Sequence, residues 1–292
     1  MLVTGGSGQV GRELGRYAWP EGWAATVLTR AELDLTNTAA IAAKIAERPW
    51  AAAINAAAYT AVDKAESDIE TAWKVNALAP AAFAAACRAA DVPLVQVSTD
   101  YVFDGEKKHA WEVDDPVSPL GVYGASKLGG ELAVRSSGAR HAIVRTAWVV
   151  SAHGSNFVKT MLRVGAERSS LRVVDDQRGS PTSAADLAAA LATVATHMAD
   201  DRAAPGGVFQ FANSGPTTWA GFARAIFAGA AARGGPSSVV EPITTADYPT
   251  PARRPANSLL STRRIETEYG IQPRPWAAAL DDILNELIGP EK

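Results

Sequence analysis

The chain has a single cysteine, Cys87, so no disulfide can close within it. Cys87 lies in the apolar run Phe83-Ala-Ala-Ala-Cys87, where a small buried hydrophobe is the expectation. Histidine is scarce. His109, His141, His153 and His197 are scattered without the spacing of metal ligands, and no metal site is expected from them. Excess charge of either sign is also missing. A net charge of -3 gives no reason to expect nucleic acid or an anionic membrane as partner, although a local basic pocket for a small anion remains compatible with it. No apolar run reaches the ~18 residues that a membrane span needs. The alanine-rich stretch 50–58 comes nearest, and Asn55 interrupts it. The opening Leu2-Val3-Thr4-Gly5 leaves no basic segment and no room for a signal peptide, so a cytoplasmic enzyme is expected. No internal repeat is visible, and no disordered tail is expected beyond the last few residues.

What is present suits a folded enzyme. Hydrophobic residues at 47% supply a core, and 292 residues suit one large domain or two. The first half alternates strand and helix patterns. Strands are expected at 2–4, 25–29, 51–55, 94–98 and 141–146. Helices are expected from the glycines to about Tyr17, then at 38–48, 68–76, 80–91 and 123–136. Repeated βα units with apolar strands predict an α/β fold, a Rossmann-type doubly wound parallel sheet. After Thr146 the regularity weakens. Helices at 155–165, 184–200 and 218–233 and a strand at 208–211 remain, followed by a Pro- and Gly-rich stretch from Gly234 to Pro255. The expected division is a dinucleotide-binding domain over 1–150 and a mainly substrate-binding region over 151–292, with segments of the latter returning to the first domain.

Two features carry chemistry. Gly5, Gly8 and Gly11 stand between the first strand and the first helix. There they permit a sharp turn, a close backbone approach to a pyrophosphate and tight helix–strand packing. Ser7, Gln9 and Val10 complete that loop as cofactor contacts. The second strand ends near Arg30, which suits a 2′-phosphate and favours NADPH, with NADH possible; Asp34 and Leu35 follow as adenine contacts. Asn55-Ala56-Ala57-Ala58-Tyr59 ends the next strand at the ligand edge, with Ala56, Ala57 and Tyr59 against the cofactor. Asn76 either fixes backbone geometry near the site or caps a helix. The second feature is Tyr123-Gly-Ala-Ser-Lys127. Tyrosine and lysine at i and i+4 share a helix face, and a cation beside a phenol lowers its pKa from ~10. Ser98-Thr99-Asp100-Tyr101 lies upstream in the order such a site requires.

These segments resemble one family. They are Gly5-x-x-Gly8-Gln9-Val10-Gly11, the runs 55–66, 75–77 and 98–105, Tyr123 to Glu131, and then 145–149, 154–157, 176–182 and 253–260. Together they resemble the dTDP-4-dehydrorhamnose reductases, a branch of the extended short-chain dehydrogenase/reductases. The resemblance implies reduction of dTDP-4-dehydro-β-L-rhamnose to dTDP-L-rhamnose by NADPH or NADH. It implies Thr99, Tyr123 and Lys127 as the catalytic set, with Tyr123 and Lys127 also on the cofactor. Thr99, Asp100, Tyr101, Phe103, Trp148, Asn156 and Arg253 are implied as substrate contacts. In that scheme Tyr123 donates the proton, Thr99 hydrogen-bonds the carbonyl oxygen, and Lys127 tunes Tyr123 and holds the ribose. Lys159, Arg163, Arg253 and Arg254 are candidates to neutralise the substrate pyrophosphate.

Two departures stand out. The first strand is shorter than the resemblance implies. Some relatives bind magnesium between subunits through glutamates; Glu13 fits one position, but alanine stands at Ala184 and Ala185, so Mg2+ is not expected. The chain is expected to be a monomer or homodimer acting on a nucleotide sugar. Other readings remain open: a dehydratase or epimerase of the same superfamily, or a non-catalytic NADP-binding regulatory subunit. A dehydratase needs an acid after Asp100, where this chain has Tyr101.

Overall fold

The computed structural model describes residues 1–290; the last two residues, which the expected disordered end includes, lie outside the described residues. The first half runs β1 (Leu2–Thr4), α1 (Gln9–Arg16), β2 (Thr26–Leu28), α2 (Thr38–Ala46), β3 (Ala53–Asn55), α3 (Val62–Ala65), α4 (Ile69–Trp73), α5 (Ala79–Ala89), β4 (Leu94–Thr99), α6 (Val122–Ser136) and β5 (His141–Thr146). There follow β6 (Val149–Val150), α7 (Phe157–Gly165), β7 (Ser170–Val174), β8 (Arg178–Gly179), β9 (Thr182–Ser183) and α8 (Ala184–Asp200). The chain ends with β10 (Gly207–Gln210), β11 (Thr217–Thr218), α9 (Trp219–Ala232), β12 (Val239–Ile243), α10 (Arg263–Tyr269) and α11 (Trp276–Ile288).

Six strands form the central sheet in the order β10-β5-β4-β3-β1-β2. Every pairing in it is parallel, as a doubly wound sheet demands. The short β1 lies inside the sheet and pairs over all its residues with both β2 and β3. The chain leaves β1 for one side and returns to the other, so the loops at the carboxyl ends of β1 and β3 part. Such a switch point is where ligands bind in these sheets. A polar row braces the strand ends there. Thr4 Oγ1 donates to Asn55 Oδ1 at 2.6 Å, and Asn55 Nδ2 donates to Gln96 Oε1 at 2.8 Å.

Both faces of the sheet are covered, which explains why its strands read as apolar runs. Leu14 of α1 and Leu187, Leu191 and Val194 of α8 pack on Val3, Ile54, Val95 and Val144. Ile41 and Ile45 of α2, Phe83 of α5 and Val134 of α6 pack on Leu2, Leu94 and Ile143 from the other side. A separate core joins α7, α9, α11 and the parallel pair β7–β12 through Val158, Leu171, Val173, Phe222, Ile226 and Ile283. Among the described residues no helix is long and apolar enough to cross a membrane.

Two regions differ from the sequence expectation. The helix expected over 68–76 ends as α4 at Trp73, and Lys74–Leu78 widens into a π-helical turn before α5. That turn buries Asn76. Beyond Arg233, where the sequence showed a Pro- and Gly-rich stretch to Pro255 and no element was assigned, lie β12, α10 and α11. β12 contains Pro242 and buries none of its residues fully, so it shows neither alternation nor an apolar run.

Candidate active site

A cavity of about 910 Å3 opens along the carboxyl ends of the strands, from the Gly5–Val10 loop to Trp148 and Asn156. At its cofactor end the backbone is the building material. Gly5 has φ of +84°, and an added Cβ would press on the Ala56–Ala57 peptide at 3.0–3.1 Å. At Gly11 a Cβ would fall 2.1 Å from Gly5 O, so only glycine lets α1 sit this close to the loop. Gly8 caps α1 without a side-chain hydrogen bond, which leaves the helix N-terminus to an anion. Ser7, Gly8, Gln9, Val10, Arg30, Asp34, Leu35, Ala56, Ala57 and Tyr59 all line the cavity with Gly5. A backbone hydrogen bond from Thr36 holds the Asp34 carboxyl below the usual range.

Asn76 does not line the cavity. Its Oδ1 accepts from Tyr59 N at 2.9 Å, and its Nδ2 donates to Tyr59 O and Ser126 Oγ, each at 3.1 Å. It therefore fixes the 56–59 backbone against α6 and caps no helix. Gly124 brings α6 against the 99–102 segment, since a Cβ there would meet Tyr101 O at 2.1 Å.

That approach assembles Thr99, Tyr123 and Lys127 on the cavity wall. Thr99 Oγ1 accepts from Tyr101 N at 3.2 Å and donates to Asp100 Oδ1 at 3.1 Å. The Tyr101 and Tyr123 rings meet edge to face, 5.3 Å apart. Lys127 is 4% exposed and donates Nζ to Val97 O at 2.7 Å. Burial lowers its pKa to about 8, while Glu131 opposes the shift. Behind it, Glu131 and Arg145 form a buried bidentate pair at 2.8 and 2.9 Å.

One expectation is overturned here. Lys127 was expected to lower the pKa of Tyr123. Burial instead raises the phenol to about 12, the Thr99 hydroxyl opposes the rise, and the Asp100 charge adds to it. A buried phenol holds its proton, which is the form a proton donor needs.

The far end of the cavity is built from side chains. Trp148 adopts φ of +51°, rare for so large a residue. Its ring stacks on Trp219 at 3.6 Å, and a Cβ on Gly179 would enter that ring at 2.5 Å. Asp100, Tyr101, Trp148 and Asn156 line this end. Asn156 is spent on the fold. Nδ2 donates to Gln9 Oε1, Ser151 O and His153 O, while Oδ1 caps α7 by accepting from Lys159 N.

Two further positions expected on the substrate stand elsewhere. Phe103 is fully buried and stacks on Trp111 at 4.4 Å, because the 100–103 turn carries it into the core beneath the site. Arg253 is exposed and off the cavity wall. Of the other basic candidates, Arg254 pairs with Asp63 at 2.7 Å, Lys159 donates to Ala152 O, and Arg163 faces Glu167 at 3.8 Å. Lys64, which the sequence reading passed over, does line the cavity. It lies within the 55–66 run, and that was its available signal.

The sheet order, the glycine loop at the switch point and the wall of Thr99, Tyr123 and Lys127 define a Rossmann-type oxidoreductase. The family model described as RmlD substrate binding domain matches residues 1–288. A dTDP-4-dehydrorhamnose reductase of Sinorhizobium fredii is 42% identical over 277 residues, covering 94% of this chain and 93% of its own. The crystal structure of a dTDP-4-dehydrorhamnose reductase from Clostridium acetobutylicum superposes with a TM-score of 0.90 at 37% identity, covering 98% of both chains. That from Bacillus anthracis, in complex with NADP, gives 0.89 at 32% identity, again over 98% of both. The chain belongs to the dTDP-4-dehydrorhamnose reductase family.

Proposed function

We propose that this protein reduces the 4-keto group of dTDP-4-dehydro-β-L-rhamnose to give dTDP-L-rhamnose, with NADPH as reductant and Tyr123 as proton donor. The observation that carries this reading is that Thr99, Tyr123 and Lys127 line one cavity at the switch point of the sheet, with burial raising the pKa of the phenol. The cofactor loop fits a dinucleotide, because side chains at Gly5 or Gly11 would fill the space that brings loop and helix together. Bound NADPH supplies the hydride. Residues 5–10 and the N-terminus of α1 would hold its pyrophosphate, and Arg30 would hold the 2′-phosphate.

The chain's own residues manage the proton. An alkoxide is far more basic than a phenolate, so Tyr123 gives up its proton downhill as negative charge gathers on the sugar oxygen. Lys127 would hold the nicotinamide ribose. Tyr101 packs against Tyr123 where a dehydratase would need an acid, which speaks against elimination chemistry. No metal enters the scheme. Glu13 faces His153 at 3.2 Å, Arg16 binds Glu286 at 2.7 Å, and Ala184 and Ala185 offer no oxygen ligand in their side chains.

The test supplies the 4-keto sugar, generated in place by an epimerase, and identifies the product by NMR. Tyr123→Phe should lose on the order of 10²–10⁴ in turnover with NADPH affinity nearly unchanged. A variant that keeps most of its rate would overturn the assignment.

A further inference from the structure

We propose that Glu66 is a positioning residue for Tyr123: its carboxylate holds the first amide of α6 and so fixes the helical turn from which the phenol is presented. This rests on the reduction proposed above and adds to it a group that does not touch the reacting atoms.

The amides at the start of a helix have no acceptor within it. At α6 the residue before the first turn is Gly121, which has no side chain to provide one. Glu66 provides it from 56 positions away, where its Oε1 accepts from Val122 N at 2.9 Å. A carboxylate at that place also meets the positive end of the helix dipole. Tyr123 follows directly, so the hydrogen bond acts on the backbone one residue from the phenol.

The glycine at 121 answers to that carboxylate. Its backbone is extended, with φ of -157° and ψ of 179°, a conformation open to any residue. An added Cβ, however, would lie 2.5 Å from Glu66 Oε1. Gly124 makes a matching approach to Tyr101 O, so the first turn of α6 is held at two points. The next turn is held separately. Ser126 Oγ accepts from Asn76 Nδ2 at 3.1 Å, and Lys127 Nζ donates to Val97 O at 2.7 Å. Glu66 does not line the cavity, although Val62 and Lys64 on the same segment do. Releasing Val122 N therefore loosens Tyr123 and leaves Lys127 in place.

Glu66→Ala removes the acceptor. Its kcat with the keto sugar should fall about tenfold, inside the roughly hundredfold that misplacement by an ångström costs. NADPH affinity should stay within about twofold of wild type. The solvent deuterium isotope effect on kcat should rise, because proton delivery from Tyr123 then limits turnover. A mere loss of folded enzyme would lower kcat without moving that isotope effect. Glu66→Gln keeps an oxygen for Val122 N and should retain kcat to within about twofold. Gly121→Ala should reproduce the loss, since the flexible carboxylate yields to the new methyl and gives up Val122 N. It should cost nothing further in a Glu66→Ala background, and it tests the contact by itself if Glu66→Ala fails to fold. Full kcat in Gly121→Ala, equal losses in Glu66→Gln and Glu66→Ala, additive losses in the double variant, or an isotope effect left at the wild-type value would overturn the role of Glu66 and leave the reductase reading intact. Absence of keto-sugar turnover in the wild type would instead overturn the reading on which that role rests.

Discussion

The two ends of the cavity are made of different material. The cofactor end is backbone: a turn at Gly5, a helix start at Gly8 and a close crossing at Gly11. The far end is a stack of side chains. Trp148 is held by Trp219, Trp219 by a hydrogen bond to Gln177, and the left-handed backbone of Trp148 by a hydrogen bond from Thr182 N to its carbonyl. A backbone site has few ways to relax, because moving it moves a strand or a helix. A side-chain site can repack. The cofactor end should therefore break sharply under substitution and the far end gradually.

Gly11→Val should give the largest effect of the three substitutions that probe this contrast. Its Cβ would lie 2.1 Å from Gly5 O and 2.4 Å from Gly5 C, both backbone atoms. Overpacking of this kind costs about 1–3 kcal/mol or more, so NADPH affinity should fall on the order of ten- to a hundredfold. Fluorescence titration with NADPH measures it. An unchanged dissociation constant would mean that the loop yields as readily as a side chain.

Trp219→Ala comes next. Trp219 does not line the cavity, yet it backs the ring that does. Losing the stack gives up about 0.5–1.5 kcal/mol beyond buried area and frees Trp148 to leave its strained backbone state. KM for the keto sugar should rise roughly tenfold, while NADPH affinity stays level. Equal losses at both ends would erase the distinction between them.

The same contrast explains what the sequence disclosed. The βα order and the parallel sheet follow from local periodicity, and the glycine spacing describes a loop whose parts are neighbours in the chain. Tyr123 and Lys127 are one helical turn apart, so their common face was legible as well. Asn156 was not. It reads as a polar residue before a helix, and only the folded chain shows Gln9 consuming its amide from 147 positions away. Phe103 reads as part of a motif, and its stacking on Trp111 inside the core depends on a turn with no local signature. β7 did carry a signal, since the buried Leu171 and Val173 alternate with the exposed Ser170 and Arg172. Its partner β12 lacks one, and a strand pattern without a partner is easily passed over.

Gln9 is where the two ends meet, and its removal should have the smallest effect. Gln9 Oε1 accepts from Ser151 Oγ and from Asn156 Nδ2, each at 2.9 Å. Both donors have other acceptors in His153 O and Ser151 O. Gln9→Ala therefore leaves both donors with acceptors and gives up only a long 3.4 Å bond from Gln9 Nε2 to Val149 O, so its cost should sit at the low end of about 0.5–1.5 kcal/mol per hydrogen bond. The loss should appear in coupling more than in either affinity alone. A cycle of dTDP binding with and without NADP, in wild type and Gln9→Ala, isolates that coupling, since each ligand must change the other's affinity by the same factor. A severalfold coupling in the wild type that shrinks toward unity in Gln9→Ala would mean that a backbone-built site and a side-chain-built site communicate through one amide. An unchanged coupling would place the communication in the sheet beneath them, along Thr4, Asn55 and Gln96.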